Sequence, residues 1–287
     1  MKPAPFRYAR PATLDDALSL LNADGEDVKI LAGGQSLVPM LNLRLLRPAI
    51  VVDLNGLREL DRIEPDPDGG IVIGALVRHA RLMQDALVRE RAPLLAESAR
   101  HVGHAAIRHR GTLGGSLAHA DPAAELPAAL VALDARMVLH GPKGRRHVAA
   151  SEFFQGLLTT ALALDEILTE VRVPRHGRGW GFAEIARRSG DFALAGVAAV
   201  LDRPRGSTGP CTSARVVGLG VGDRPIRFAE AERALMSAPP DPAAAGAAVA
   251  CYPPADVHAS AAYRRHLAAV LTEDAVRQAL ARLGGPA

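Results

Sequence analysis

The chain has 287 residues, enough to bury a full core and to form two domains of ordinary size, and nothing in its composition marks it as disordered. Its net charge of +3 arises from 34 basic and 31 acidic residues spread along the chain, with Lys2, Lys29 and Lys143 the only lysines, so no basic stripe points to nucleic acid. Cys211 and Cys251, the two cysteines, are too few for an iron–sulfur or zinc set.

No stretch approaches the roughly 20 apolar residues of a membrane span, and the N-terminus has no apolar signal-peptide core. The expectation is a cytoplasmic protein. Residues 6–8 read as a short strand before Pro11. Thr13, with Asp16 three residues on, gives a capping-box-like start to a helix over 14–21 that Asp24-Gly25 ends. An apolar run at 28–31 predicts a strand, and the small-residue loop Ala32-Gly33-Gly34-Gln35-Ser36 follows it directly. A turn-rich or helical segment over 37–46, closed by Pro48, leads to a strand over 50–54. Strand, helix and strand within about 50 residues make a small α/β subdomain.

Ile63 and the run 71–74 flank Asp68-Gly69-Gly70 as a hairpin. The pattern over 78–100 is helical, with Pro93 interrupting it. A second small-residue loop, Gly111-Thr112-Leu113-Gly114-Gly115-Ser116, precedes a predicted helix over 120–133. A hairpin around 141–144 and an edge or half-buried strand over 166–173 follow, and 174–179 reads as a domain boundary. Beyond it the pattern gives strand or mixed segments over 180–185 and 192–201 and a strand over 214–221. An irregular Ala/Pro-rich connection covers 238–262, and a helix over 258–283 breaks near Thr272.

The two glycine loops carry the chemistry. Glycines without a Cβ let successive N–H groups point into one concavity, a nest suited to phosphate, and Thr112 and Ser116 add hydroxyl donors. Either loop alone is equally an ordinary Gly-rich turn. Together, each ending in serine, they suit a pyrophosphate, whose charge lies on two phosphoryl groups.

Other motifs do not hold. Gly218-Leu219-Gly220-Val221-Gly222-Asp223 has Asp223 at the third glycine position of a dinucleotide fingerprint and Pro225 where a helix should open, so it reads as a strand ending in a turn. Gly114-Gly115-Ser116-Leu117-Ala118 falls one residue short of a nucleophile elbow, and His119 stands too close to Ser116 for a triad. His119, Asp121 and Glu125 have metal-ligating atoms, but Asp121-Pro122 is better read as a helix cap with Pro in the first turn. His101 and His104 read as solvent-facing. No catalytic residue and no metal site is expected on this chain.

The strings AGGQSLVPMLNLRLLRP (32–48) and IRHRGTLGGSLAHADPAAELPAALVALDA (107–135) resemble the two FAD-binding signatures of the flavin-carrying medium subunit of molybdenum hydroxylases. That family includes the flavoprotein subunits of carbon monoxide dehydrogenase and xanthine dehydrogenase. The likeness extends to Phe6-x-Tyr8-x-x-Pro11, to Phe182-x-Glu184-x-Ala186-Arg187-Arg188-x-Gly190-Asp191-Phe192-Ala193, and to 256–267, so it covers nearly the whole chain. Departures include His109 for the usual Asn and Glu184 where some relatives carry Lys.

The resemblance implies an α+β fold: a two-part PCMH/VAO-like FAD-binding domain over 1–175, with subdomains of about 1–55 and 56–175, then a C-terminal flavoprotein domain over 176–287. It implies FAD held by Ala32, Gly33, Gly34, Gln35 and Ser36 on one side and Thr112, Leu113, Gly114, Gly115 and Ser116 on the other. Glu125 stands where the family has an acid for the ribose hydroxyls, and Leu168 and Phe192 near the flavin ring. The implied activity is that of an electron-transfer subunit. Its partners would be a large molybdopterin-binding chain and a small [2Fe–2S] chain, in a dimer of heterotrimers. A self-sufficient flavin oxidoreductase on the same fold is the alternative.

Overall fold

The computed structural model describes residues 2–22 and 26–284, so the Asp24-Gly25 helix stop lies outside the described residues. Strand β1 (Arg7–Ala9) leads into helix α1 (Leu14–Leu21), where the Thr13 hydroxyl accepts from the Asp16 N–H at 3.1 Å, as the sequence predicts. Strand β2 (Val28–Leu31), helix α2 (Leu37–Asn42) and strand β3 (Ile50–Asp53) complete a three-stranded parallel sheet of order β1-β3-β2. Ala17, Ile50, Val52 and Leu54 form its core.

Strands β4 (Ile63–Pro65) and β5 (Ile71–Gly74) form the expected hairpin. The single helix read over 78–100 is three: α3 (His79–Gln84), α4 (Ala86–Arg91) and α5 (Pro93–His101). Pro93 takes a first-turn position, where it lacks no needed donor, but Asp85 makes the other break. Its carboxylate accepts from the N–H groups of Leu87 and Val88 at 3.0 and 3.4 Å, which starts a new helix there. Helix α6 (Ala105–Arg110) then leads to the second glycine segment.

That segment is not a loop. Thr112 is the cap of helix α7 (Leu113–His119), so the glycines form its first turn, and the next helix, α8 (Glu125–Ala132), starts later than 120. Asp121 caps a turn rather than a helix: its Oδ1 accepts from the Ala123 N–H at 2.8 Å, and Ala120 closes α7 with a left-handed φ of 52°. After β6 (Arg136–Gly141), β7 (Gly144–Ala149), α9 (Ala150–Phe153), β8 (Phe154–Gly156) and β9 (Thr159–Thr160) comes β10 (Ile167–Val173). The last of these, read as an edge or half-buried strand, lies in the middle of a five-stranded antiparallel sheet of order β4-β5-β10-β6-β7. Six of its seven residues are buried, so the polar positions Thr169 and Glu170 of the alternating pattern lie inside as well.

The remaining chain forms β11 (Gly179–Ala186), β12 (Ala193–Asp202), β13 (Ser213–Leu219), β14 (Ile226–Arg227), α10 (Ala229–Ser237), α11 (Pro242–Ala247) and α12 (Ala261–Gly284). The four strands make an antiparallel sheet in sequence order. Both of its faces are covered: Ala198 and Val200 of β12 join the core around α5 and α8, while Val197, Ala199 and Leu201 pack with α12. Hence the near-continuous apolar run over 193–201.

Helix α12 is unbroken, against expectation. Thr272 is fully buried in it, and the packing overrides a local propensity of a few tenths of a kcal/mol. Gly181 permits the close approach, since a Cβ there would lie 2.0 Å from the Ala275 carbonyl oxygen. Likewise 238–262, read as irregular, contains α11, capped by the Asp241 side chain.

Candidate cofactor site

The two glycine segments, far apart in sequence, meet. A Cβ on Gly33 would stand 2.6 Å from the Arg110 carbonyl oxygen and 2.7 Å from Gly111 Cα, and one on Gly115 would touch the Ala32 methyl at 3.7 Å. Gly34 has φ +74°, a left-handed backbone that bends the first loop away from β2.

Their roles differ from the symmetrical nests expected. In the second segment every early donor is engaged within the protein. Leu113 N–H binds the Val77 carbonyl (2.9 Å), Gly114 N–H that of Ala75 (2.8 Å), Gly115 N–H the Thr112 hydroxyl (3.1 Å) and Ser116 N–H the Thr112 carbonyl (3.1 Å). Thr112, Leu113 and Gly114 are buried, leaving Gly115 and Ser116 as the surface this helix presents. In the first loop the N–H groups of Gly33, Gly34, Gln35 and Ser36 have no acceptor among the described residues, and Gln35 and Ser36 are exposed. The open donors are therefore on the first loop. Helix α7 supplies the wall beside it.

A polar clasp absent from the sequence reading joins the two. The Arg78 guanidinium donates to the Arg110 carbonyl through Nη1 and to Asn55 Oδ1 through Nη2, the latter at 2.5 Å. The Asn55 amide donates to the Ala32 carbonyl at 2.9 Å, and the Asn55 N–H to Asp53 at 2.9 Å. The Tyr8 hydroxyl closes the chain on Asp53 at 2.5 Å. Burial alone would raise the Asp53 carboxyl, but the hydrogen bonds from Tyr8 and Asn55 outweigh it and hold the group below the usual carboxylate range. No motif marks Asn55 or Arg78. The one available signal is Asp53-x-Asn55 at the end of a strand, a common turn pattern.

His79 supports the same junction. Buried beneath Gly111, it donates from Nε2 to the Thr112 carbonyl at 2.9 Å, while Nδ1 has no partner. Burial pushes its pKa down to about 4, so the ring is neutral at pH 7. A histidine depressed below its unfolded value of 6.5 contributes stability that is complete above 6.5 and is lost as pH falls toward 4, at about 1.4 kcal/mol per unit. Retention of a ligand by the junction is expected to decline through that window, and His79→Gln, which donates without titrating, to retain it to lower pH. Equilibrium dialysis at pH 7 to 4 checks this.

Glu125, at the first position of α8, is buried, and burial with Asp121 nearby raises its pKa to about 7. Glu184 on β11 is raised to about 8 by burial and by the Glu125 charge. Leu168 lies in the central core, 5% exposed, and Phe192, 70% exposed, sits at the turn between β11 and β12. His101 corrects the solvent-facing reading: it is half-buried, with its ring 4.9 Å from that of Phe182. His104 is exposed. Among the described residues no group of three or more His, Cys, Asp or Glu comes together to hold a metal. Ser116 sits within a helix turn and not on a strand-to-helix elbow, which disposes of the hydrolase reading.

Two family models match most of the chain: the FAD binding domain in molybdopterin dehydrogenase over 4–176, and the CO dehydrogenase flavoprotein C-terminal domain over 180–279. The chain is 42% identical to the 6-hydroxypseudooxynicotine dehydrogenase complex subunit alpha of Paenarthrobacter nicotinovorans, covering 98% of this chain and 97% of that one. It is 37% identical to the carbon monoxide dehydrogenase medium chain of Hydrogenophaga pseudoflava, over 98% and 99%. Among solved structures, quinoline 2-oxidoreductase from Pseudomonas putida 86 superposes with a TM-score of 0.93 at 37% identity, over 99% of this chain and all of that one. Fold, paired glycine segments and sequence thus agree, and the chain belongs to the family of FAD-binding flavoprotein subunits of molybdopterin dehydrogenases.

Proposed function

We propose that this chain carries the FAD of a heteromeric molybdenum-containing dehydrogenase and passes electrons from [2Fe–2S] clusters on a partner chain to an external acceptor. The observation that carries the reading is the row of N–H groups at 33–36 that have no acceptor among the described residues, on a loop packed against Gly111 and Gly115. The fit to a diphosphate is physical. Four unpaired backbone donors on one bend match clustered anionic oxygens, and glycine at 33 lets that bend pack directly on the backbone of the second segment.

In this reading Ala32, Gly33, Gly34, Gln35 and Ser36 bind the pyrophosphate, and Gly115 and Ser116 line it. Thr112, Leu113 and Gly114 hold that wall in place from within the protein. Glu125 serves the ribose hydroxyls, and Phe192 offers its exposed ring to the flavin. Leu168 acts through the core beneath it. We assign 1–175 to the FAD-binding domain and 176–287 to the C-terminal flavoprotein domain, in line with the two matched family models. When bound, FAD supplies the redox chemistry, while these residues bind, orient and tune it.

Relatives are named as subunits of multi-subunit complexes, and none of the described helices is long and apolar enough to cross a membrane. We extend the proposal to a large molybdopterin-binding partner and a small [2Fe–2S] partner, assembled as a dimer of heterotrimers in the cytoplasm. Expression alone should give a yellow protein that binds FAD but oxidises no N-heterocyclic or carbonyl substrate. Coexpression with the partner chains should give copurifying molybdenum and iron and substrate-driven bleaching of the flavin. Oxidation by the isolated chain would favour the self-sufficient oxidoreductase instead.

A further inference from the structure

Helix α8 is buried along its whole length and packs against α5 and α7 as well as against β12 and β13. Its surface is largely Ala, Leu and Val, and apolar burial is non-directional, so packing alone would let a helix of eight residues slide along its axis. Its own N-terminus is weakly anchored. The cap, Ala124, has no side-chain oxygen to accept a first-turn N–H, and Pro127 has no N–H to give.

Directional bonds from β13 and the residue after it hold both ends. At the C-terminal end the carbonyls of Ala129, Leu130 and Val131 accept from the N–H groups of Leu133 (2.9 Å), Ala135 (3.0 Å) and Asp134 (3.2 Å). The carbonyl of Ala132 accepts instead from Arg215 Nε of β13 at 2.8 Å, which sets the guanidinium charge at the negative end of the helix dipole. Ahead of the N-terminal end, the Pro122 carbonyl accepts from the N–H of Gly220, one residue past β13, at 2.8 Å. The Gly220 peptide is itself fixed from behind: its carbonyl accepts from Nη1 of buried Arg264 at 3.3 Å, and Arg264 also bonds Asp256 (2.6 Å) and the Leu194 carbonyl. The spans agree. Extended chain from Arg215 to Gly220 covers about 16 Å, and turn and helix from Pro122 to Ala132 about 15 Å, so the two segments run antiparallel and are tied at both ends.

We propose that β13 is a splint for α8, and that Arg215 is a positioning residue that keeps Glu125, at the first position of the helix, where it meets the ribose hydroxyls of the cofactor. The inference rests on the ribose role given to Glu125 above. Hydrogen bonds run from about 2.7 to 3.2 Å, so a slip of α8 by about 1 Å along its axis parts the carboxylate from the hydroxyls. A bond made at Ala132 is thus read about 10 Å away, at the other end of a short rigid helix.

The test compares ADP with 2′,3′-dideoxy-ADP on the full chain freed of FAD, by isothermal titration calorimetry. ADP carries the diphosphate and the adenosine ribose of FAD, and the analogue lacks only the hydroxyls. The wild type prefers ADP by on the order of 10-fold, the scale of a hydrogen bond to a charged group. In Arg215→Met, which keeps the side-chain length but cannot donate, the preference disappears while the affinity for the dideoxy analogue stays. Arg215→Gln restores the preference, because its amide nitrogen stands as many bonds from Cα as Nε does. A folded Arg215→Met with the wild-type preference would overturn the proposal. So would one that weakens both ligands equally, the mark of a merely structural residue. Should Arg215→Met fail to fold, Arg215→Gln still decides, since loss of the preference there would overturn the Ala132 bond as the tie. A wild-type chain indifferent to the hydroxyls would instead sink the ribose role of Glu125, and the splint with it.

Discussion

Gly33→Val is expected to give a folded chain that comes off the column colourless. The valine Cβ would lie 2.6 Å from one backbone oxygen and 2.7 Å from a backbone carbon of the segment that caps α7, and neither can rotate away as a side chain could. The first loop must then lift off the wall. Ala32 resists from behind, since its carbonyl is held by Asn55, so the displacement falls on 33–36, where the four open donors lie. A hydrogen bond to a charged group is worth about 1.5–3 kcal/mol, and misplacing two of them weakens FAD binding by on the order of 10²–10⁴-fold. The ratio of flavin to protein absorbance, with circular dichroism to establish folding, reads the result directly. A folded, fully loaded variant would mean that the pyrophosphate lies elsewhere.

The same reasoning changes what to expect of Gly114. A Cβ there would strike Ala75, at 2.6 Å from its methyl, and not the ligand. Its smallness serves the seating of α7 on the segment after β5.

Arg78→Met comes second in expected size. Methionine keeps much of the arginine stem but cannot donate, so the Arg110 carbonyl and Asn55 Oδ1 both lose their partner. The part-buried Asn55 oxygen left unsatisfied costs about 1–3 kcal/mol, while water can replace the donor at the exposed Arg110 carbonyl. FAD binds only when both segments are in register, so a cost of about 1–3 kcal/mol in that junction appears as affinity weakened by roughly 5- to 150-fold. Thermal unfolding separates this from general damage: the melting temperature of the FAD-loaded protein should fall more than that of the apoprotein. Arg78→Lys should restore little, because one ammonium group cannot reach both acceptors as the guanidinium fork does. Unchanged FAD affinity in Arg78→Met would show that the clasp is ornamental.

Much of this site was readable from the chain because its chemistry is local. A bend at Gly34 and the absence of side chains at Gly33 and Gly115 are properties of those residues themselves, and they stand in contiguous strings. What the strings could not show is which amides stay free. Leu113 and Gly114 look as available as Gly33 and Gly34 until Val77 and Ala75 are brought alongside. Asn55, Arg78 and His79 went unnoticed for the same reason: they matter through long-range partners, and in sequence each is an unremarkable polar residue near a helix or strand end. Short-range signals predicted the elements well where caps and turns set them, as at Thr13 and Asp68-Gly69-Gly70. They failed where burial set them, as at Thr272, or where a strand's neighbours on both sides come from elsewhere, as with β10.

The placement of β10 bears on how a ribosome can release this protein. The strand that β5 and β6 both need for pairing is made after them, so until residue 173 has left the exit tunnel each has an open backbone edge. Nascent chains that stall earlier are candidates for chaperone capture, and flavin can be loaded only once translation has passed that point.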